Sequence, residues 1–227
     1  MVAGTYLIAS LITTTAWVLL YAYRKDLRNE MLVMSSIVAI FGFIMEALVW
    51  TEDWWRPITI TGTLVGIEDL LFGFGLGGMT AVAYEELFKM KNVRKKVDLN
   101  HVKHLAILLA VSSAVGSFFY FVLGYNSFVT WTVSTTAATI VIYVIRPDLI
   151  IDSLATAFIL TLFSIILFAI LNSIEPGFVY SWWLFENLSG IIFLLIPLED
   201  IIWFFTTGLF VGPIYEFWQG IRLQKVH

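Results

Sequence analysis

Long apolar runs, interrupted by short polar stretches, recur along the whole chain. Seven of them, at 3–23, 31–50, 64–87, 104–122, 127–145, 153–172 and 189–215, come near or exceed the roughly 20 residues a bilayer-crossing helix needs. A membrane β-barrel would show short alternating segments instead, so helices are expected. No basic stretch precedes the first run and no cleavage site is evident, which makes 3–23 a retained span rather than a signal peptide.

The polar breaks carry an orientation. Arg24, Lys25 and Arg28 follow the first run, and Lys89, Lys91, Arg94, Lys95, Lys96 and Lys103 lie between the third and fourth. Arg146 follows the fifth, and Arg222 and Lys225 follow the seventh. Seven crossings put all of these on one side and leave Arg56 on the other. The positive-inside rule then predicts an outside N-terminus and a cytoplasmic C-terminus in a multi-pass cell-membrane protein.

Composition agrees: 59% of the 227 residues are hydrophobic and 13% charged. The absence of cysteine excludes disulfides, thiol catalysis and thiolate metal sites.

Part of the pattern occurs twice. Trp54-Trp55 precede Glu68-Asp69 and then Tyr84-Glu85; Trp182-Trp183 precede Glu199-Asp200 and then Tyr215-Glu216. The interval from Glu68 to Glu85 equals that from Glu199 to Glu216, which points to an internal duplication. The predicted fold is all-α and integral to the membrane, with seven transmembrane helices built as two parallel three-helix repeats and a linker helix. Residues 1–99 hold the first repeat and a basic loop, 100–124 the linker, and 125–227 the second repeat. The added helix keeps both repeats in one orientation, so the acid pairs should sit at similar depth and share a site at the repeat interface.

Acids are costly in hydrocarbon. At about 2.5–3.5 kcal/mol each, four ionised carboxylates facing lipid would cost on the order of 10 kcal/mol. Glu68, Asp69, Glu199 and Asp200 should therefore face the bundle interior. A carboxylic acid kept neutral in a dry pocket can protonate an apolar substrate. One turn on from each Glu stands an aromatic, Phe72 and Trp203, placed to shelter a cation. The bland alternative is four buried hydrogen-bonding groups that lock the repeats together. Glu46 lies near the outer end of its span and could join the site, while the Trp pairs read as an interfacial belt that could also roof a pocket. Glu85 and Glu216 lie about 25 Å along their helices from the acid pairs and read as isolated packing residues.

At Pro197-Leu198-Glu199-Asp200 the chain resembles the membrane-embedded lycopene cyclases of archaea, some bacteria and fungi, whose marker is Pro-x-Glu-(Glu/Asp), once per three-helix unit. Gly66-Ile67-Glu68-Asp69 matches except that Gly66 replaces the proline. The resemblance implies acid-catalysed ring closure of an acyclic carotenoid end without net redox and with no cofactor. It makes Glu199 and Glu68 the proton-donor candidates, with Asp200 and Asp69 as partners or proton acceptors. The implied partners are a lipid-soluble carotenoid and membrane lipids, no nucleic acid, with a homo-oligomer left open.

Three other readings compete. A membrane cyclase for another prenyl substrate would use the same chemistry. A carotenoid-binding protein without turnover would need only the pocket; the lack of a lysine for a Schiff base in any span argues strongly against a rhodopsin. A proton-coupled transporter would need a relay to the inner face, which Glu85 and Glu216 look too isolated to supply. The run Gly73-Phe74-Gly75-Leu76-Gly77-Gly78 lies inside an apolar helix with no strand before it, so it reads as a helix-packing surface rather than a nucleotide loop. His101 and His104 near Asp98 read as part of a solvated loop, and the threonines of the first and fifth spans as backbone-bonded.

Overall fold

The computed structural model describes residues 4–93 and 99–225. Arg94, Lys95, Lys96 and Asp98, and the side chains of His101 and Arg222, lie outside the described residues.

The chain folds as helices in succession. α1 (Thr5–Tyr23) and α2 (Arg28–Met45) form a hairpin, and α2 runs on through a π-helical turn, Glu46–Trp50, into α3 (Thr51–Asp53). After an irregular segment come α4 (Ile67–Ala81) and α5 (Ala83–Leu87), then strand β1 (Met90–Val93). α6 (Leu99–Ser117) also ends in a π-helical turn. α7 (Ser127–Ile145) and α8 (Ile150–Ile174) form the second hairpin, followed by the short α9 (Val179–Trp182). A tight hairpin of β2 (Ile192–Phe193) and β3 (Ile196–Pro197) leads into α10 (Leu198–Val211), α11 (Ile214–Gln219) and β4 (Arg222–Lys225).

Among the described residues, six helices are long and apolar enough to cross a membrane. The expected third span does not qualify as one helix, because Val82 (φ −118°, ψ 12°) divides it. The last span breaks at the corresponding place, before Ile214, where Pro213 has no amide hydrogen to donate. Val82 has no proline to explain its break. The seventh span also starts later than expected, at Leu198: residues 189–197 turn back on themselves, with Leu194 and Leu195 at positive φ.

Apolar side chains such as Phe121, Val144, Ile151 and Phe158 are exposed on the outside of the bundle, as lipid contact requires. Inside, helices meet at glycines. A Cβ on Gly73 would stand 3.0 Å from Ala39 Cα, and one on Gly75 would stand 2.9 Å from the Thr13 carbonyl carbon, so α4 lies tight against α1 and α2. Gly208 brings α10 closer still to Ala157 of α8. The glycine run is thus a packing surface, as expected. Thr13, Thr135 and Thr136 bond carbonyls three or four residues back in their own helices.

Basic groups gather at one end. Arg24 binds Asp26, Glu86 and the Met90 carbonyl, and holds the Asp26 carboxyl below its usual range by hydrogen bonding and charge. Arg146 binds Asp148 and the Ile221 carbonyl at the same end, where β1 pairs with β4. Arg56 lies at the other end, beside Trp182.

Candidate active site

At the end opposite these arginines, the two Trp-Trp segments meet. Trp55 and Trp183 form an antiparallel bridge. The Arg56 amide donates to the Trp182 carbonyl at 2.5 Å, and the Leu184 amide donates to the Trp54 carbonyl at 2.8 Å. Each segment gives one N–H to the other, so the halves are tied by main chain across a lid. Trp54, Trp182 and Trp183 are buried, and all four rings line the cavity beneath. The rings thus roof the cavity, a placement compatible with an interfacial belt.

The cavity has a volume of about 570 Å³. Its lining runs from Tyr6, Glu46, Asp69 and Asp200 under the lid to Val211 and Ile214. From Asp200 to Ile214 that is roughly 20 Å of helix. Phe72 and Trp203 line it, three residues on from Asp69 and Asp200, on the same helix faces. Trp203 meets Trp54 edge-on at 5.9 Å and Trp50 at 6.3 Å, and Trp50 meets Trp131 at 5.8 Å.

Within each acid pair the two carboxyls diverge, as neighbours about 100° apart on a helix must. The aspartates line the cavity; the glutamates are not among its lining residues. Glu68 Oε1 accepts the Ile60 amide at 2.5 Å, and Glu199 Oε1 accepts the Ser189 amide at 2.7 Å. Both glutamates thus hold the irregular segment that leads into their helix.

The two aspartates also differ from each other. Asp69 is the third residue of α4, and its Oδ2 accepts the amide of the capping residue Gly66 at 2.7 Å. Its Oδ1 accepts the Tyr6 hydroxyl at 2.6 Å. Asp200 is the third residue of α10, whose capping residue is Pro197. Proline has no N–H, so the equivalent bond cannot form. Asp200 Oδ2 is buried without a hydrogen-bond partner. The indole N–H groups of Trp54 and Trp183 lie beside this carboxyl without closing a normal hydrogen bond.

Glu46 turns inward on the π-helical turn, is 2% exposed, and accepts the Trp55 indole N–H at 3.1 Å on Oε2. It lies in the electrostatic field of Asp69. A single extra residue per turn is what a π-bulge inserts, and such bulges often mark functional sites.

A sequence model of the lycopene cyclase family matches residues 4–87 and 125–218. The chain belongs to that family. The matched stretches leave out the whole of α6 between them. No match was found among curated proteins or solved structures. Membership in the lycopene cyclase family makes the chain a carotenoid-cyclising enzyme in general terms, and its apolar helices make it a multi-pass membrane protein.

Sequence reasoning missed Tyr6, Trp50 and Trp131 at this lycopene cyclase cavity. Trp50 carried a usable signal, one turn from Glu46 on the same face. Tyr6 carried none beyond its depth in the first span.

Proposed function

We propose that this enzyme closes a six-membered ring at the end of an acyclic carotenoid such as lycopene, with Asp200 as proton donor. The single observation behind that assignment is the contrast between Pro197 and Gly66. Of two buried carboxyls, the one with an unengaged oxygen in a dry aromatic pocket is the better proton donor, and the one that accepts two hydrogen bonds is the better proton acceptor. Asp200 is the first kind and Asp69, held by Tyr6 and Gly66, is the second.

The Asp200 O–H bond breaks as its proton adds to the terminal double bond, leaving a tertiary cation. An internal double bond supplies the electrons for the new C–C bond and moves the cation onto the ring. A C–H bond beside it then breaks, its electrons form the ring double bond, and the proton goes to the Asp69 carboxylate. Composition and oxidation state are unchanged, so the reaction needs no redox cofactor. Trp203, Trp54 and Trp183 supply ring faces to the cation, and Glu46 is a proton store beside Asp69. Glu68 and Glu199 hold the loops that shape the site. This division of labour inverts the one expected from the motif alone.

The wider reading is seven crossings, counting α4 and α5 as one, in two parallel three-helix repeats, with the lid outside and the arginine-rich end in the cytoplasm. Ile37 and Phe41 of α2, Leu109 of α6 and Phe121 of the π-helical turn after it line the cavity and are also exposed, so the substrate enters sideways from the bilayer between these helices.

The test is colour. In a bacterial host that accumulates lycopene, the chain should turn red pigment orange or yellow, because ring closure removes terminal double bonds from conjugation. Unchanged pigment beside well-folded protein sinks the lycopene assignment and points to another prenyl substrate or to binding without turnover.

A further inference from the structure

The lidless end of the bundle contains a second acidic constellation. Glu85 and Glu216, expected to be isolated, are not: ligand oxygens of Glu30, Glu85 and Glu216 all lie within 4.8 Å of one another. They come from the first turn of α2, from α5 and from α11, three elements far apart in the chain. None of the three is more than 2% exposed.

Two further observations point to a ligand. All four carboxylate oxygens of Glu85 and Glu216 are buried with no N–H or hydroxyl group donating to them. Asp152, outside the trio and in the first turn of α8, is 2% exposed, has an unpartnered Oδ2, and acts electrostatically on both Glu85 and Glu216. Two of the four acids thus come from each half of the chain. The nearest guanidinium groups do not neutralise them. Arg24 donates to the Glu85 backbone carbonyl at 3.0 Å and Arg146 to that of Glu216 at 3.4 Å, while their ion pairs go to Asp26, Glu86 and Asp148. Among the described side chains, no cation forms an ion pair with Glu85, Glu216 or Asp152.

The geometry points to a binding site for one hard divalent cation, held by Glu30, Glu85 and Glu216 with Asp152 at its edge. The donor set is all oxygen, with no histidine or cysteine, which selects the Mg²⁺, Ca²⁺ and Mn²⁺ class over zinc or copper. Oxygens bound at about 2.3–2.6 Å can stand roughly 5 Å apart across a Ca²⁺-sized ion, so the observed spread closes on such an ion with little movement. Bound there, the ion clamps α2, α5 and α11 at the end where the long helices are broken. The rival occupant is a set of shared protons.

The experiment uses the full chain purified in detergent and stripped with a chelator. Mn²⁺ binding is read from loss of the free-ion EPR signal, and thermal stability is followed with Mg²⁺, Ca²⁺ and Mn²⁺ separately. One Mn²⁺ per chain is expected, competed by Ca²⁺ or Mg²⁺. The midpoint should rise by about 5–10 °C at a hundredfold excess over Kd. Glu85→Gln and Glu216→Gln should each weaken Mn²⁺ binding at least tenfold. Folded wild-type protein that takes up no Mn²⁺ overturns the site, as does undiminished binding in both variants. Glutamine variants that stabilise the protein equally with and without metal, alongside an ion-insensitive wild type, assign the cluster to shared protons. The wild-type binding measurement decides the matter even where a variant fails to fold.

Discussion

Gly66 donates its amide to Asp69 Oδ2 at 2.7 Å, whereas Pro197, which caps α10 as Gly66 caps α4, has no amide proton for Asp200. One backbone hydrogen thus separates two carboxyls that a motif comparison treats as equivalent.

The first prediction follows from that difference. Asp200→Asn removes the only proposed acid and should lower pigment conversion by about 100-fold or more, the usual scale of general-acid catalysis. Glu199→Gln keeps an oxygen for the Ser189 amide and should stay within about tenfold of wild type. Comparing conversion with protein level in the same cells separates chemistry from folding. A dead Glu199→Gln beside a live Asp200→Asn reverses the assignment.

Tyr6→Phe removes the hydroxyl that Asp69 Oδ1 accepts and leaves only the Gly66 bond. A hydrogen bond to a charged group contributes about 1.5–3 kcal/mol, so the rate should fall by roughly 10- to 100-fold if Asp69 acts as a carboxylate. Timed pigment extraction measures it. A wild-type rate in Tyr6→Phe argues that Asp69 takes no proton.

Substitutions at Trp203 test shelter of the cation. A desolvated cation–ring contact is worth about 2 kcal/mol, so Trp203→Leu should be roughly 30-fold slower, with Trp203→Phe between it and wild type. Equal rates across the three would mean the ring is only a wall.

Packing gives a prediction independent of chemistry. A Cβ on Gly208 would stand 2.5 Å from Ala157 Cα, so Gly208→Ala must push α10 off α8. Overpacking of this kind costs about 1–3 kcal/mol and should lower the melting midpoint in detergent by several degrees. Gly42→Ala meets nothing within 4 Å and serves as the control, unchanged or slightly more stable.

Much of this was readable from the residues. Hydropathy marks the crossings because lipid tolerates little else, and the expense of buried acids singles out Glu68, Asp69, Glu199 and Asp200. The rotation of each pair was not readable. Neighbours on a helix face different ways, and only packing decides whether Glu199 or Asp200 meets the cavity. The cluster around Glu85 was hidden for a related reason. Glu30 and Asp152 begin their helices, where acids are ordinary, and only tertiary structure carries them to Glu85 and Glu216. The division at Val82 has no sequence signal, although Pro213 gives one at the matching place.

The lid joins its halves through the Arg56 and Leu184 amides and the Trp182 and Trp54 carbonyls. Such bonds can be made by almost any pair of amino acids. Substitutions beneath such a seam leave its bonds in place. A glycine at 66 and a proline at 197 can therefore stand at matching places beneath one lid. A joint indifferent to side chains leaves the interior it closes free to differ from one side to the other.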